Sequence, residues 1–194
     1  MLEREGFPTH DIASYRYHVG DGVRRLIERI LPSSNQSECE IEALTQKLEA
    51  EYAARANKLT QIYDGITELL DSLKSQGIAL AVLSNKPHSL TIDCMHRFFP
   101  KHSFQCIRGQ QADTPRKPDP AGAFLVADSL GLPCNRILYV GDTDVDMQTA
   151  KAANMTAVGV LWGFRDREEL LQHGADHIVD TPAAILDLLS LNRP

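Results

Sequence analysis

Apolar and polar positions divide the chain into a helical first part and a second part in which strands alternate with helices. In residues 1–60 there is no convincing strand pattern, and apolar residues recur at helical spacing. One helical face ends before Pro32 and consists of Val23, Leu26, Ile27 and Ile30. Ser37 and Glu40 form a capping-box pattern ahead of a second helix, which we expect to run to about Asn57.

From residue 61 onward, short apolar runs alternate with amphipathic stretches. A helix is predicted to begin at Asp64 and to end at Gly77. The predicted strands are 78–83, 104–108, 137–141, 156–160 and 176–179, and the helices between and after them are 88–99, 120–130, 145–153, 166–172 and 182–190. Strands separated by helices form right-handed crossovers, so the expected fold is α/β with a doubly wound parallel sheet. In such a sheet, ligands bind over the carboxyl ends of the strands.

The segment 137–150 carries the strongest chemical signal. Its apolar strand ends at Gly141, where the backbone can turn sharply. Three acids follow just before a helix, namely Asp142, Asp144 and Asp146. Mg²⁺ typically takes one or two carboxylates together with water and substrate phosphate. Acids also favour helix N-termini, so this pattern alone leaves helix capping open beside a Mg²⁺ site.

Two further segments place polar groups where a phosphate could bind. The apolar run 78–87 is predicted to form a strand that ends at Ser84 and Asn85, just before a helix. A hydroxyl beside a helix N-terminus can bind phosphate. Lys117 is flanked by prolines, which restrict the backbone around it. Taken singly, Ser84 also suits an ordinary turn and Lys117 an exposed charge. Because strand carboxyl ends converge, we expect both residues to lie near Asp142.

These segments together resemble the haloacid-dehalogenase-like hydrolases, specifically the phosphoglycolate phosphatase group. The three matching motifs are VLSNK (82–86), RKPDP (116–120) and GDTDVDM (141–147). Residues 15–32 are similar to the start of that group's helical cap, and 158–164 and 174–180 to its last two strands. The resemblance implies an N-terminally truncated helical cap over 1–60 and an α/β core over 61–194.

The resemblance also implies a role for each motif residue. Ser84 and the backbone near Asn85 would bind phosphoryl oxygens, and Lys117 would stabilise the phosphate. Asp142 would ligate Mg²⁺, and Asp146 would hold Lys117 or a metal-bound water. The implied activity is a Mg²⁺-dependent phosphatase of small phosphorylated metabolites, with 2-phosphoglycolate converted to glycolate and phosphate.

The chain departs from the family's pattern at its front. Members begin with a strand and Asp-x-Asp-Gly-Thr, whose first Asp attacks phosphorus and whose second handles the leaving-group proton. No such sequence occurs in the 194 residues, and the Asp-x-Asp spacings within 142–146 belong to the GDTDVDM motif. We therefore expect the chain as written to lack its covalent nucleophile and to be inactive. We also expect its sheet to lack a first, central strand, which would leave a groove between the strands that end near Leu83 and Gly141.

Three interpretations of this departure stay open. The favoured one is a truncated form whose true start lies upstream of Met1, which the in-frame upstream genomic sequence would test. The second is a catalytically dead relative that binds phosphate or a partner protein. The third is a related phosphatase or phosphomutase, whereas a metal-free dehalogenase is disfavoured by Asp142.

Substrate selection by the cap is a weaker expectation. Arg16, His18 and Arg24 lie in the segment that is similar to the cap's start, and a cation there could pair with a small carboxylate. Exposed arginines on helices more often have no specific role. We therefore do not include these three residues in the predicted site.

Composition and charge narrow the possible partners. A formal net charge of −6 and the lack of a basic run argue against nucleic acid. No apolar run approaches membrane-spanning length, and Met1 is not followed by a signal-peptide pattern. The four cysteines are scattered, which fits a reducing compartment. We expect a cytoplasmic protein whose partner is a small phosphorylated metabolite, and its oligomeric state is left open.

Overall fold

The computed structural model describes residues 1–55, 58–102 and 104–191. The backbone divides into two compact units, Met1–Thr60 and Gln61–Pro194. Each unit contains its own apolar clusters. The roles of the two units as cap and core stay predictions.

The first unit is built from helices. They are three short 3-10 helices at Leu2–Glu5, Ile12–Ser14 and Ser33–Asn35, and the α-helices α1 (Tyr15–His18), α2 (Val23–Ile30) and α3 (Glu38–Arg55). Ile27 and Ile30 of α2 are buried in one cluster with Ile41 and Leu44 of α3, so the predicted apolar face of α2 packs inside this unit. The Glu40 N–H donates to Ser37 Oγ at 3.3 Å, as the capping pattern predicts. The expected helix end at Asn57 lies outside the described residues.

The second unit alternates helices with parallel strands. Its helices are α4 (Ile66–Ser75), α5 (His88–Phe98), α6 (Ala121–Leu130), α7 (Asp144–Ala152), α8 (Arg167–Gln172) and α9 (Ala184–Leu191). Its strands are β1 (Ala81–Pro87), β2 (Cys106–Gln110), β3 (Leu138–Gly141), β4 (Thr156–Val160) and β5 (His177–Val179). All pairings among the described strands are parallel, which confirms the predicted α/β class.

Strand β1 departs from its predicted limits. It begins at Ala81 and continues to Pro87, so Ser84 and Asn85 lie within the strand rather than after its end. The register with β2 shifts between Leu83 and Pro87, which marks an irregularity of the bulge type. Bulges occur next to functional sites because they change the direction of side chains. Hydrophobicity along the chain does not report such a shift.

The five described strands form two sheets, with the orders β1-β2 and β3-β4-β5. No ladder hydrogen bonds join β1 to β3 in these sheets. Leu83 of β1 and Tyr139 of β3 nevertheless pack against the same apolar cluster. Val140 of β3 is 42% exposed, as expected for a strand at an open edge. That a strand is absent between β1 and β3 stays a prediction.

Two apolar clusters stabilise the sheets of the second unit. One cluster joins Leu69 and Leu73 of α4 and Ile185 of α9 to apolar residues of β4 and β5. The other joins residues of α6, α7 and α8 to Ala157 of β4 and Tyr139 of β3, with Met147 and Leu170 fully buried. Among the described helices, none has the length and apolar content needed to cross a bilayer.

Candidate functional site

A buried ion pair lies at the centre of the candidate site. Lys117 Nζ is 2.6 Å from Asp146 Oδ1, and the two side chains are only 12% and 9% exposed. The same ammonium lies 3.4 Å from the Leu83 carbonyl oxygen and 5.9 Å from the centre of the Tyr139 ring. Burial opposes the charge on each partner, but their attraction outweighs it, so the pKa of Lys117 is raised and that of Asp146 is lowered. Both groups are therefore ionised near neutral pH.

Asn85 attaches the Lys117 loop to β1. Its side-chain Nδ2 donates to the Lys117 carbonyl at 3.1 Å, and its Oδ1 accepts from the Lys117 N–H at 2.9 Å. The Asn85 side chain is buried, and the Lys117–Pro118 peptide bond is cis. The sequence gives no signal for this pairing, because the two residues are 32 positions apart. Asn85 thus positions Lys117 through its amide, and the predicted binding of phosphate by the nearby backbone stays a prediction.

Asp146 also organises the start of α7. Its Oδ2 accepts hydrogen bonds from Thr143 Oγ1 at 2.7 Å and from the Thr143 N–H at 3.2 Å. Thr143 Oγ1 accepts in turn from the Asp146 N–H, which completes a capping box with Thr143 as the N-cap. The helix is therefore capped by Thr143, whereas the sequence pattern pointed to one of the acids. The two carboxylate oxygens of Asp146 thus have different partners: Oδ1 pairs with Lys117, and Oδ2 accepts from Thr143 at the start of the helix.

Asp142 is held by the loop that follows β4. Its Oδ2 accepts from the Phe164 N–H at 2.9 Å, and its carbonyl accepts from the Arg165 N–H at 3.1 Å. A Cβ added at Gly163 would overlap the Asp142 side chain, so this close approach requires glycine. Burial raises the pKa of Asp142, and the nearby charge of Asp146 adds to the effect. The sequence indicated residues 162–164 only as part of the strand-like segment 158–164, not as a support for Asp142.

Replacement of Gly163 by alanine is expected to lower the free energy of unfolding by about 1–3 kcal/mol, because a new Cβ must displace Asp142 or the loop. Urea unfolding measures the loss. The matched control is Gly122→Ala, whose new Cβ would lie 2.9 Å from the flexible end of the Leu83 side chain. We expect a smaller loss there, and equal losses would contradict a rigid contact between Gly163 and Asp142.

The donor set fits a Mg²⁺ ion that shares substrate and water ligands. No group of three or more His, Cys, Asp or Glu side chains suited to a metal occurs in the described part of the chain. Mg²⁺ needs only one or two carboxylates when phosphate and water complete its shell. Asp142 forms no salt bridge with a described residue, and its raised pKa means that a nearby cation would stabilise its ionised form. Asp142 is thus the residue that could hold the ion.

Ser84 lies in a small open pocket that Asn85 and Lys117 also line. Its Oγ accepts from the Lys86 N–H at 3.1 Å. Asp146 joins this group through its ion pair with Lys117, and the Asp142 N–H donates to Asp146 Oδ2 at 3.3 Å. The structure therefore connects the five predicted site residues, although Asp142 and Asp146 do not line the pocket.

The chain matches the model of one known family. That family is the haloacid dehalogenase-like hydrolases, and the match spans residues 1–160. These residues include all three motifs that carry the candidate site.

Individual relatives are similar along nearly the whole chain. A phosphoglycolate phosphatase of Pseudomonas syringae pv. tomato is 32% identical over 190 residues, which are 96% of this chain and 67% of that protein. A phosphoglycolate phosphatase of Nitrosococcus oceani is 31% identical, with coverage of 98% and 86%. The crystal structure of a predicted phosphoglycolate phosphatase from Lactobacillus delbrueckii subsp. bulgaricus superposes with a TM-score of 0.90 at 27% identity, covering 97% of this chain and 87% of that one.

Proposed function

Since this chain belongs to the haloacid dehalogenase-like hydrolase family, we propose that it contains the residues of a Mg²⁺-dependent phosphatase that bind the phosphoryl group and the metal and stabilise the negative charge of the phosphoryl group. The observation that carries the proposal is the buried Lys117–Asp146 pair, which lies beside Ser84 at the register shift of β1 and near the carboxyl end of β3. Ligands bind at this edge of open α/β sheets. The proposed substrates are small phosphorylated metabolites, with 2-phosphoglycolate preferred.

The roles proposed for the side chains follow from their contacts. Ser84, which lines the pocket, would bind a phosphoryl oxygen through its hydroxyl. Lys117 would provide positive charge, and its position is set on one side by Asn85 and on the other by Asp146. A cation that is held in place before the substrate arrives stabilises developing charge without reorganisation.

Asp142 is the proposed Mg²⁺ ligand, and its side chain is held by the hydrogen bond from Phe164 and the close contact with Gly163. Bound Mg²⁺ would neutralise charge on the phosphoryl oxygens. The 2.9 Å hydrogen bond from Phe164 leaves Asp142 Oδ1 as the oxygen that accepts no hydrogen bond from the described residues. That oxygen would take the metal.

The reaction step that the chain cannot supply by itself is nucleophilic attack. No Asp-x-Asp-Gly-Thr occurs in the 194 residues, and covalent catalysis requires an activated nucleophile. We therefore propose that the chain binds substrate and Mg²⁺ but does not turn over alone. Its cytoplasmic location and the absence of nucleic-acid and membrane partners stay predictions.

The preference for phosphoglycolate is supported by the curated relatives. The proteins from Pseudomonas syringae pv. tomato and Nitrosococcus oceani are both phosphoglycolate phosphatases, at 32% and 31% identity. Similarity at this level over nearly the whole chain favours the same reaction class. The substrate itself must be tested by binding.

Binding of Mg²⁺ in the presence of inorganic phosphate tests the proposal, measured by titration calorimetry. Asp142→Asn is expected to weaken Mg²⁺ binding about tenfold or more, because a contact to a charged ligand is worth about 1.5–3 kcal/mol. Asp128→Asn removes the same charge from an exposed position on α6 and should leave the affinity unchanged. An Asp142→Asn protein that binds Mg²⁺ as tightly as the original chain would overturn the metal assignment.

A further inference from the structure

We infer that Arg108 recognises a second anionic group on the substrate, a carboxylate close to the phosphoryl group. This inference rests on the proposed function, since it assumes that Ser84 and Lys117 bind the phosphoryl group. It assigns substrate selection to the second unit of the chain. From the sequence, only cations of the first unit, Arg16, His18 and Arg24, were candidates for this role.

The register of the sheet places Arg108 beside the candidate phosphate site. Arg108 on β2 is paired with Leu83 on β1, and Ser84 is the next residue along that strand. Arg108 lines the same pocket as Ser84 and Lys117. A substrate held by Ser84 would therefore have a guanidinium on the neighbouring strand.

The Arg108 side chain is held in place from one side. Its Nη2 donates to Thr114 Oγ1 at 2.6 Å and lies 3.8 Å from Asp113 Oδ1. Both contacts use Nη2, so Nε and Nη1 keep their N–H groups unused by the described residues. Arg108 is 21% exposed at its side chain and Asp113 is 73% exposed, so their attraction is screened by water. The guanidinium is thus ordered and still able to donate.

The loop that holds Arg108 is itself tied down. The Gln110 side chain donates from Nε2 to the carbonyls of Gln111 and Thr114, at 2.6 and 2.7 Å. Thr114 is therefore held by its backbone while its hydroxyl accepts from Arg108. A positioned guanidinium loses less entropy on binding a ligand than a mobile one does.

The pairing of charges in the pocket leaves the Arg108 guanidinium available to an anion. Lys117 and Arg108 are the cations among its described lining residues, and Lys117 is already paired with Asp146. The carboxylate in the lining belongs to Asp119, which accepts from the Ala121 N–H at the start of α6. Arg108 thus has no buried carboxylate as partner among the described residues, and a guanidinium matches a carboxylate with two parallel N–H donors.

The cap candidate Arg24 is a weaker choice for this role. Its guanidinium donates from Nη1 and Nη2 to the two oxygens of Glu38, at 2.9 and 2.7 Å. Its Nε donates to Glu28 at 3.0 Å. A substrate carboxylate would have to displace these partners.

Binding of two phosphate monoesters tests the inference. In the presence of Mg²⁺, titration calorimetry compares 2-phosphoglycolate with ethyl phosphate, which lacks the carboxylate. The original chain is expected to bind 2-phosphoglycolate about tenfold more tightly, the size of a charge-assisted contact. Arg108→Gln should remove this difference. Its affinity for ethyl phosphate should stay within about threefold of that of the original chain, which is a smaller change than the tenfold preference. Arg108→Lys should restore part of the difference.

The matched control is Arg136→Gln, which removes an exposed arginine in the turn before β3 and should leave both affinities unchanged. If Arg108→Gln keeps the preference for 2-phosphoglycolate, or lowers the affinity for both ligands equally, the inference is wrong. If the original chain binds neither ligand, the proposed function fails as well. Binding of both ligands with equal affinity by the original chain contradicts the carboxylate site alone.

Discussion

The 194-residue chain is expected to show no phosphatase turnover, whereas a chain extended at its N-terminus by a strand carrying Asp-x-Asp-Gly-Thr is expected to hydrolyse 2-phosphoglycolate with Mg²⁺. The extension can be taken from one of the phosphoglycolate phosphatases that the chain resembles. Phosphate release measures the activity. The same extension with asparagine in place of its first aspartate is the control, and it should be inert.

The extended chain also ranks the site residues. Lys117→Ala is expected to lower kcat about 10²–10³-fold, which is the usual effect of removing one preorganised group that stabilises developing charge. Ser84→Ala removes a neutral hydrogen bond and should cost at most about tenfold. Assays are run below the unfolding temperature of each variant. Equal, small effects at both positions would contradict the roles proposed here, and Asp142-dependent turnover by the chain without extension would contradict the absence of a nucleophile.

Lys117→Met is expected to lower the free energy of unfolding by about 3–5 kcal/mol, because it leaves the Asp146 carboxylate buried without its cation. The hydrogen bonds from Thr143 remain, but they do not neutralise the charge. Such a loss is a large share of a domain's stability of about 5–15 kcal/mol. Denaturant unfolding followed by circular dichroism measures it.

The matched control for this variant is Lys151→Met. Lys151 pairs with Asp176 at 2.7 Å, but the two side chains are 49% and 36% exposed. Exposed pairs contribute about 0–1 kcal/mol, so we expect a small loss. Adding Asp146→Asn to Lys117→Met should recover part of the stability, because the buried charge is then removed. A loss no larger than that of Lys151→Met would show that the Lys117–Asp146 pair is not a buried one in solution.

Element types and the meeting of the three motifs could be predicted from the sequence. Apolar runs separated by amphipathic stretches specify strands that must be joined by helical crossovers, which makes the sheet parallel. The carboxyl ends of parallel strands lie at one edge, so Ser84, Lys117 and Asp142 were expected to meet although they are far apart in the chain. The structure connects them through Asn85 and Asp146.

The supports of the site were decided by tertiary contacts. Asn85 and Lys117 are hydrogen-bonded although they are 32 positions apart. The loop at Gly163 and Phe164, which follows β4, contacts Asp142, which follows β3. Local hydrophobicity reports whether a position is buried and which backbone it favours, but it does not report which distant partner meets a polar side chain. The same holds for Arg108, whose place beside Ser84 follows from the register of β1 and β2. The sequence alone therefore determined which chemical groups were expected to meet, and only the tertiary structure decided which residues hold them in place.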